Sequence, residues 1–128
     1  MVAYGPGEIF PGHEFYDYVA KYAEGVSRTD PAATLDAAVR ERIRGIARTA
    51  YLAIGAEGFA RVDFLLRGDS IYLNEINTIP GFTPISLFPL MCGEGGLDFA
   101  GISERIVELA LERAERRNVH RLTRGDLP

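Results

Sequence analysis

Four polar side chains that could handle a cation or a phosphate interrupt a stretch otherwise rich in aliphatic and aromatic residues. They are Arg61, Asp63, Glu75 and Asn77. A hairpin buried in a core would carry apolar residues at such positions. Carboxylate and amide oxygens, with no cysteine or histidine nearby, are the ligands that a hard ion such as Mg²⁺ prefers. These residue types therefore predict a cation site, provided that the fold brings them together.

The segments that carry these residues predict a β-hairpin. Residues 59–66 and 71–76 are rich in aromatic and aliphatic side chains, and the link 67–70 has the composition of a turn. Because successive side chains point to opposite faces of a strand, one face of the first strand is wholly apolar and must meet a core. The members of that face are Val62, Phe64 and Leu66.

The register of the hairpin decides whether the polar residues meet. A short loop would set Asp63 opposite Glu75 and Arg61 opposite Asn77, with Leu73 on the same face of the second strand. A slip of one residue would place the two sets on opposite faces of the ribbon. In the favourable register the two carboxylates face each other across the ladder, with their Cβ atoms about 5 Å apart.

Two facing carboxylates require compensation. At ~4 Å and an effective dielectric constant near 20, they repel by roughly 4 kcal/mol. Either one carboxylate is protonated, or Arg61 compensates, or a cation lies between them. Mg²⁺ takes only one or two carboxylates and keeps several waters, so three protein ligands would be enough. From the spacing alone, a solvated hairpin face with an ion pair to Arg61 is an equal alternative.

The segment after the hairpin favours a functional site over that alternative. Residues 77–84 leave the strand abruptly through a Pro/Gly turn, and the backbone of Gly81 can approach a ligand closely. Ser86 lies near the N-cap of a short predicted helix over 87–91. A helix N-terminus beside a cation site can bind a carboxylate or a phosphate.

Two longer helices are predicted to frame the hairpin. The first begins at an N-cap on Thr34, follows an i, i+3, i+4 pattern of apolar residues and ends at Gly55. We expect it to cover the apolar face of the hairpin. The second follows a cap on Asp98 and runs from Phe99 to about Arg117.

The N-terminal quarter is predicted to be a short edge strand over 8–10 followed by a long loop over 16–30. The loop is rich in aromatic residues and contains Lys21, the chain's single lysine, next to Tyr22. Long ordered loops are often lids, so Lys21 could reach a ligand, but an exposed surface lysine explains the same pattern. The sequence has no P-loop motif for Lys21 to belong to.

Composition limits the class of protein. A chain of 128 residues forms one domain at most, and a net charge of −4 argues against a general nucleic-acid surface. The single cysteine, Cys92, fits a reducing compartment and lies among apolar neighbours typical of a buried thiol. No apolar run is long enough to cross a bilayer and the N-terminus has no signal pattern, so we expect no membrane partner and a cytoplasmic location.

At this point the motif VDFLL, followed by YLNEINTIPGFTPIS at 72–86, resembles the C-terminal signature of the D-alanine–D-alanine ligases of the ATP-grasp superfamily. The resemblance extends from Gly7 to Arg113, through PGEIFPGHEFYDYVAKY and LDFAGISERIVELALER. It implies an α+β fold, with an antiparallel β-sheet packed against helices, as the C-terminal part of an ATP-grasp fold.

The resemblance also implies a reaction and a role for each site residue. ATP would phosphorylate one D-alanine, and the amine of a second would attack the acyl phosphate. The implied roles are metal binding by Asp63, Glu75 and Asn77, oxyanion stabilisation by Arg61 and the Gly81 amide, seating of the second substrate's carboxylate by Ser86 and the Leu87 amide, and ATP contacts from an ω-loop by Lys21 and Tyr22. The implied cofactor is Mg²⁺ or Mn²⁺, with two ions in a complete enzyme, and ATP is a substrate. Tyrosine at position 22 implies D-alanine rather than D-lactate.

Family members are about twice this length or more, which sets further expectations. Residues 1–117 would form an incomplete C-terminal ligase region and 118–128 a tail. The chain alone would be inactive, and its partners would be the missing N-terminal half or a second copy in a homodimer. Another ATP-grasp carboxylate–amine ligase, a non-catalytic Mg-nucleotide-binding module and a purely structural domain remain open alternatives.

Overall fold

The structure, a computed structural model, describes residues 1–11 and 27–119. That part of the chain contains two two-stranded antiparallel sheets and three helices. In chain order they are β1 (Glu8–Pro11), β2 (Ser27–Asp30), α1 (Ala37–Ala53), β3 (Arg61–Arg67), β4 (Ser70–Asn77), α2 (Leu87–Glu94) and α3 (Phe99–Val119). The predicted α+β class, with antiparallel sheets and helices, is confirmed. The predicted loop over 16–30 is wrong in its last four residues, because Ser27–Asp30 pairs with β1 as a strand.

The predicted hairpin is formed by β3 and β4 in the predicted register. Arg61 pairs with Asn77 and Asp63 pairs with Glu75. The strands are joined by a two-residue loop in which Gly68 has φ 56°. A positive φ at the first loop position and a negative one at the second match the sign pattern of a type II′ turn, which suits the twist of a hairpin. This glycine therefore helps to set the register.

The ladder contains an irregularity next to the acidic pair. Between Asp63 and Phe64 the register shifts, so that Phe64 pairs with Leu73 and Asn74 is the extra residue on β4. A β-bulge of this kind places two residues opposite one and bends the strand. The expectation that Leu73 shares the face of Glu75 is therefore wrong, because Leu73 pairs with a residue of the opposite, apolar set.

Helix α1 begins later than predicted. Its N-cap is Asp36, not Thr34, and its first hydrogen bond joins the Arg40 amide to the Asp36 carbonyl. The residues before it are held elsewhere, since the Ala33 amide donates to the Pro6 carbonyl at 3.0 Å. The Leu35 amide donates to the Ala33 carbonyl at 3.0 Å, so the chain makes a separate turn around Thr34 before the helix begins.

The predicted end of α1 at Gly55 is confirmed. Gly55 has φ 63° and follows the C-cap Ile54. Its amide donates to the Leu52 carbonyl and the Ala56 amide donates to the Tyr51 carbonyl, which is the bonding pattern of a Schellman motif. A left-handed residue is required at this position, and glycine adopts that conformation without a Cβ clash.

The helices cover only part of the hairpin. Helix α1 lies against β4, and Val62 and Phe64 are half-buried. Towards the turn, Leu66 of the same face is 43% exposed, and Leu73, which pairs with Phe64, is 47% exposed. On the other face, Leu65 and its partner Tyr72 are 62% and 54% exposed. The expectation that α1 covers the apolar face is therefore fulfilled only at the end of the hairpin near the site.

The core lies between the helices and the segment that precedes α1. Among the described residues, the buried ones there include Ala33, Ile43, Cys92 and Ile102. Helix α3 packs against α2 and starts as predicted, because the Asp98 carboxylate accepts a hydrogen bond from the Gly101 amide at 2.8 Å. In the ranges 1–11 and 27–119 no helix is long and apolar enough to cross a membrane.

Candidate functional site

Arg61, Asp63 and Glu75 form one charged cluster across the hairpin. Arg61 Nε donates to Asp63 Oδ1 at 2.7 Å and Arg61 Nη2 donates to Asp63 Oδ2 at 2.8 Å. The same Nη2 lies 3.5 Å from Glu75 Oε1. Of the three ways to compensate facing carboxylates, the structure therefore shows the guanidinium of Arg61 in contact with both.

The cluster is partly shielded from water on its β3 side. The side chains of Arg61 and Asp63 are 23% and 27% exposed, and that of Glu75 is 51% exposed. The contact between Arg61 and Asp63 is bidentate, the strongest geometry for this pair of residues. With two carboxylates and one guanidinium, the cluster keeps one formal negative charge and can attract a further cation.

Asn77 stands beside this cluster in the ladder, opposite Arg61. Its side-chain Oδ1 accepts a hydrogen bond from the Ile79 amide at 2.9 Å, which fixes the start of the turn that follows β4. An amide oxygen has two lone pairs, so this bond leaves one for another partner. Asn77 can therefore serve the turn and a cation at the same time.

The donor set fits a hard divalent ion. The described residues contain no group of three or more histidine, cysteine, aspartate or glutamate side chains arranged to bind a metal. The site instead offers two carboxylates and one amide oxygen, from Asp63, Glu75 and Asn77. Mg²⁺ is commonly held by one or two carboxylates together with phosphate oxygens and waters, so these ligands suit an ion that arrives with a nucleotide.

The turn after β4 brings Gly81 and Ser86 together. A methyl group on Gly81 would lie 3.2 Å from Ser86 Oγ, so the backbone and the hydroxyl are close neighbours. Ser86 is the N-cap of α2, as predicted, but its side chain makes no capping hydrogen bond to the helix. The backbone N–H groups at the start of α2 are therefore not satisfied by Ser86.

The hydroxyl of Ser86 is held by Thr83 instead. The Thr83 amide donates to Ser86 Oγ at 3.1 Å, and the hydroxyls of the two residues lie 2.8 Å apart. The Ser86 amide in turn donates to the Thr83 carbonyl at 2.9 Å. Thr83 was missed in the sequence, although a hydroxyl residue three positions before an N-cap serine is a recognisable spacing for such a motif.

Aromatic contacts fix the same turn onto the helices. Phe82 stacks on Phe99 of α3 with ring centroids 4.6 Å apart and an interplanar angle of 22°. Phe88 of α2 lies 6.4 Å from Phe82 and 5.6 Å from Phe59. These rings were also missed as positioning residues, since nothing in their sequence spacing says that they meet. They fix the position of the turn segment that joins the two site residues Gly81 and Ser86.

The predicted site residues are thus found in two groups. Arg61, Asp63, Glu75 and Asn77 share the hairpin, while Gly81, Ser86 and Leu87 share the turn and the start of α2. Lys21 and Tyr22 lie outside the residues that the structure describes. Their predicted roles stay predictions.

Comparison with known proteins defines the family of this α+β chain. The profile of the family described as D-ala D-ala ligase C-terminus matches residues 1–108. A D-alanine--D-alanine ligase of Treponema denticola is 50% identical over 116 residues, and one of Halothermothrix orenii is 48% identical over 108 residues. These matches cover 88% and 84% of this chain but only 31% and 32% of the relatives. The chain therefore spans about a third of the length of these relatives.

Solved structures of ligases are similar to this chain as well. The D-alanine--D-alanine ligase of Bacillus anthracis complexed with ATP has a TM-score of 0.73 and 28% identity, with 89% of this chain and 37% of that chain covered. The VanG D-Ala:D-Ser ligase of Enterococcus faecalis has a TM-score of 0.73 and 37% identity, with 84% and 32% covered. The chain belongs to the D-alanine–D-alanine ligase family, as its C-terminal region, and has the fold of that part of an ATP-grasp ligase.

Proposed function

We propose that this chain is the part of a D-alanine–D-alanine ligase that handles the metal, the transferred phosphate and the second amino acid. ATP phosphorylates the carboxylate of one D-alanine, the amine of a second attacks the acyl phosphate, and phosphate is released. The product would serve peptidoglycan synthesis. The observation that carries the proposal is the pairing of Asp63 with Glu75 around Arg61, in a chain of this family.

Asp63, Glu75 and Asn77 are proposed to hold Mg²⁺ or Mn²⁺, as one ion or two. Bound there, the ions would neutralise charge on the β- and γ-phosphates of ATP. Placement on two paired strands makes the ligand positions rigid, which suits a site that must keep its geometry. The bulge at Asn74 lies beside Glu75 and so helps to set the direction of that carboxylate.

Arg61 and the backbone amide of Gly81 are proposed to stabilise the oxyanion that forms when the amine attacks the acyl phosphate. A positioned donor of this kind typically lowers such a barrier by about 3–4 kcal/mol. The absence of a side chain on Gly81 supports this role, since a methyl group there would crowd Ser86 Oγ.

Ser86 and the Leu87 amide are proposed to bind the carboxylate of the second D-alanine. The amide of Thr83 already donates to Ser86 Oγ, and the Thr83 hydroxyl lies within hydrogen-bond distance. If that hydroxyl also donates, both lone pairs of Ser86 Oγ are filled and its own proton must point to another acceptor. A substrate carboxylate next to the start of α2 would be such an acceptor.

Lys21 and Tyr22 are proposed to contact ATP from a loop, on the family resemblance alone. Use of ATP favours a cytoplasmic location. The remaining two thirds of the relatives' length would supply the adenine pocket and the first D-alanine site, so we propose an N-terminal ligase segment as the partner and no turnover by residues 1–128 alone. The exposed apolar end of the hairpin, around Leu65 and Tyr72, is a surface that such a partner would cover.

Phosphate release tests this proposal. The chain would be supplied with ATP, Mg²⁺ and D-alanine, alone and after addition of the N-terminal segment of a relative, with association of the two followed by size-exclusion chromatography. We expect release only in the mixture. Turnover by the chain alone would refute the proposal that it needs an N-terminal segment. If the two proteins associate and phosphate release does not rise, the proposed ligase activity would be contradicted.

A different amine acceptor is the second candidate function. The structural similarity to a D-Ala:D-Ser ligase, at 37% identity, favours it. The same mixture supplied with D-serine and limiting D-alanine distinguishes the two by mass spectrometry of the dipeptide. A mixed dipeptide as the main product would assign the chain to this second function.

A further inference from the structure

We propose that Arg61 and a divalent cation compete for the same carboxylates, so that metal binding releases Arg61 from Asp63. The inference rests on the proposed function, in which Asp63 and Glu75 are metal ligands. It adds that the arginine serves as the counter-ion of the site in the metal-free state and exchanges its contact with Asp63 for one with the reacting group when metal is bound.

The geometry shows that both Asp63 oxygens are engaged. Arg61 donates to Oδ1 at 2.7 Å and to Oδ2 at 2.8 Å, and its Nη2 is directed at Glu75 as well. The guanidinium thus occupies the space between the two carboxylates, where a bridging ion would bind. A metal that took these oxygens would meet the guanidinium on the same side of the ladder.

Charge makes joint occupancy unfavourable. A Mg²⁺ ion binds oxygen at about 2.0–2.1 Å, so an ion on Asp63 would come within about 5 Å of a guanidinium hydrogen-bonded to the same carboxylate. Charges of +2 and +1 at that separation repel each other, and the two carboxylates, with a summed charge of −2, cannot neutralise both cations in a site that is only about a quarter exposed on its β3 side. Either the metal binds weakly or the guanidinium moves away.

Thermodynamic linkage makes the loss of metal affinity and the loss of the Arg61–Asp63 contact equal in free energy. Whatever Arg61 removes from metal affinity, the metal removes from the Arg61–Asp63 contact. The arginine therefore gives up its bidentate contact with Asp63 as metal binds, and its Nε and Nη2 donors can then turn towards a developing oxyanion. This order would prevent the site from presenting its catalytic cation before the nucleotide and its metal have arrived.

The experiment is a Mn²⁺ titration of the chain followed by electron paramagnetic resonance. Arg61→Met removes the charge and keeps the bulk, Arg61→Lys keeps the charge, and Arg67→Met removes the same charge from the far end of the same strand. We expect Arg61→Met to bind Mn²⁺ at least about tenfold more tightly than wild type, with Arg61→Lys and Arg67→Met near wild type. The double variant Arg61→Met with Asp63→Asn should not show this increase in Mn²⁺ affinity.

A second readout uses the unaltered chain. The ¹H–¹⁵N resonance of Arg61 Nε, assigned by comparison with Arg61→Lys, should shift as Mg²⁺ is added, with the same midpoint as the metal titration. Equal Mn²⁺ affinity in wild type and Arg61→Met, or a resonance that stays unchanged at saturating Mg²⁺, would overturn the competition while leaving the metal site intact. Loss of all Mn²⁺ binding in both proteins would overturn the competition and the proposed metal role together.

Discussion

The charged cluster of Arg61, Asp63 and Glu75 shows which features of the site can be predicted from residue types alone. Facing carboxylates are unfavourable, so their presence in one hairpin register already required protonation of one carboxylate, or a cation or an arginine between them. The structure shows the arginine in that place. Which of the two occupies the site depends on the ligands that are present, and that information lies outside the sequence.

Thr83 is a residue whose importance only the structure shows. Thr83→Val should lower the free energy of unfolding by about 0.5–1 kcal/mol, because it removes a hydroxyl hydrogen bond to Ser86 while keeping a branched side chain. Thr83→Ser, which retains the hydroxyl, is the control and should lie closer to wild type. Urea unfolding of the three proteins measures the difference. A Thr83→Val protein as stable as the wild type, or less destabilised than Thr83→Ser, would show that the hydroxyl hydrogen bond does not stabilise the turn.

Cys92 gives a pH dependence whose sign can be worked out. Burial raises the pKa of the Cys92 thiol to about 11 from its ordinary value of 9.0. Since the folded state holds the proton more tightly, stability is complete below pH 9 and is lost as the pH rises towards 11, by up to about 2–3 kcal/mol. Thermal unfolding between pH 8 and pH 11 measures the slope.

Cys92→Ala is the control for this pH effect. The variant is expected to be less stable throughout, because it leaves a cavity in the core. Its stability should nevertheless fall less steeply above pH 9 than that of the wild type. Identical slopes in the two proteins would show that other groups cause the alkaline loss.

At the level of elements, the ends of α1 show what sequence patterns can and cannot predict. Its C-terminus follows from a local rule, because a glycine after an apolar stripe accepts the left-handed conformation that ends a helix. Its N-terminus lies two residues after Thr34, and the segment before it carries a long-range hydrogen bond from Ala33 to Pro6 that no local pattern contains. The bulge at Asn74 is likewise invisible in the alternation of polar and apolar residues.

Two glycines, one inside α1 and one just after its C-cap, provide a matched test of these backbone roles. Gly55→Ala should destabilise the chain by about 1 kcal/mol, since φ is 63° and no neighbouring atom lies within 4 Å of the added methyl group. Gly45→Ala, inside the helix and equally open, should stabilise it by about 0.5–1 kcal/mol. Thermal unfolding of both variants gives the comparison. A shift of the same sign in both would contradict the assigned backbone roles.

For the whole molecule, family and fold could be predicted because the site motif is dense and continuous in the sequence. The hairpin, the turn and the start of α2 follow one another, so local pairing brings Asp63 to Glu75, and Gly81 and Ser86 come directly afterwards in the sequence. The incomplete cover of the hairpin could not be predicted in the same way. It depends on what packs against Leu65, and the pattern of this chain does not contain that information.

The most direct measurement is phosphate release by a chimera in which this chain replaces the matching C-terminal segment of the Treponema denticola relative. We expect the chimera to release phosphate and form D-alanyl-D-alanine with ATP, Mg²⁺ and D-alanine. Glu75→Gln and Asp63→Asn should each lower its kcat by on the order of 100-fold or more, because they remove ligand charge from the metal site. A folded, ATP-binding chimera without turnover, or variants that keep the rate of the unmodified chimera, would contradict the account.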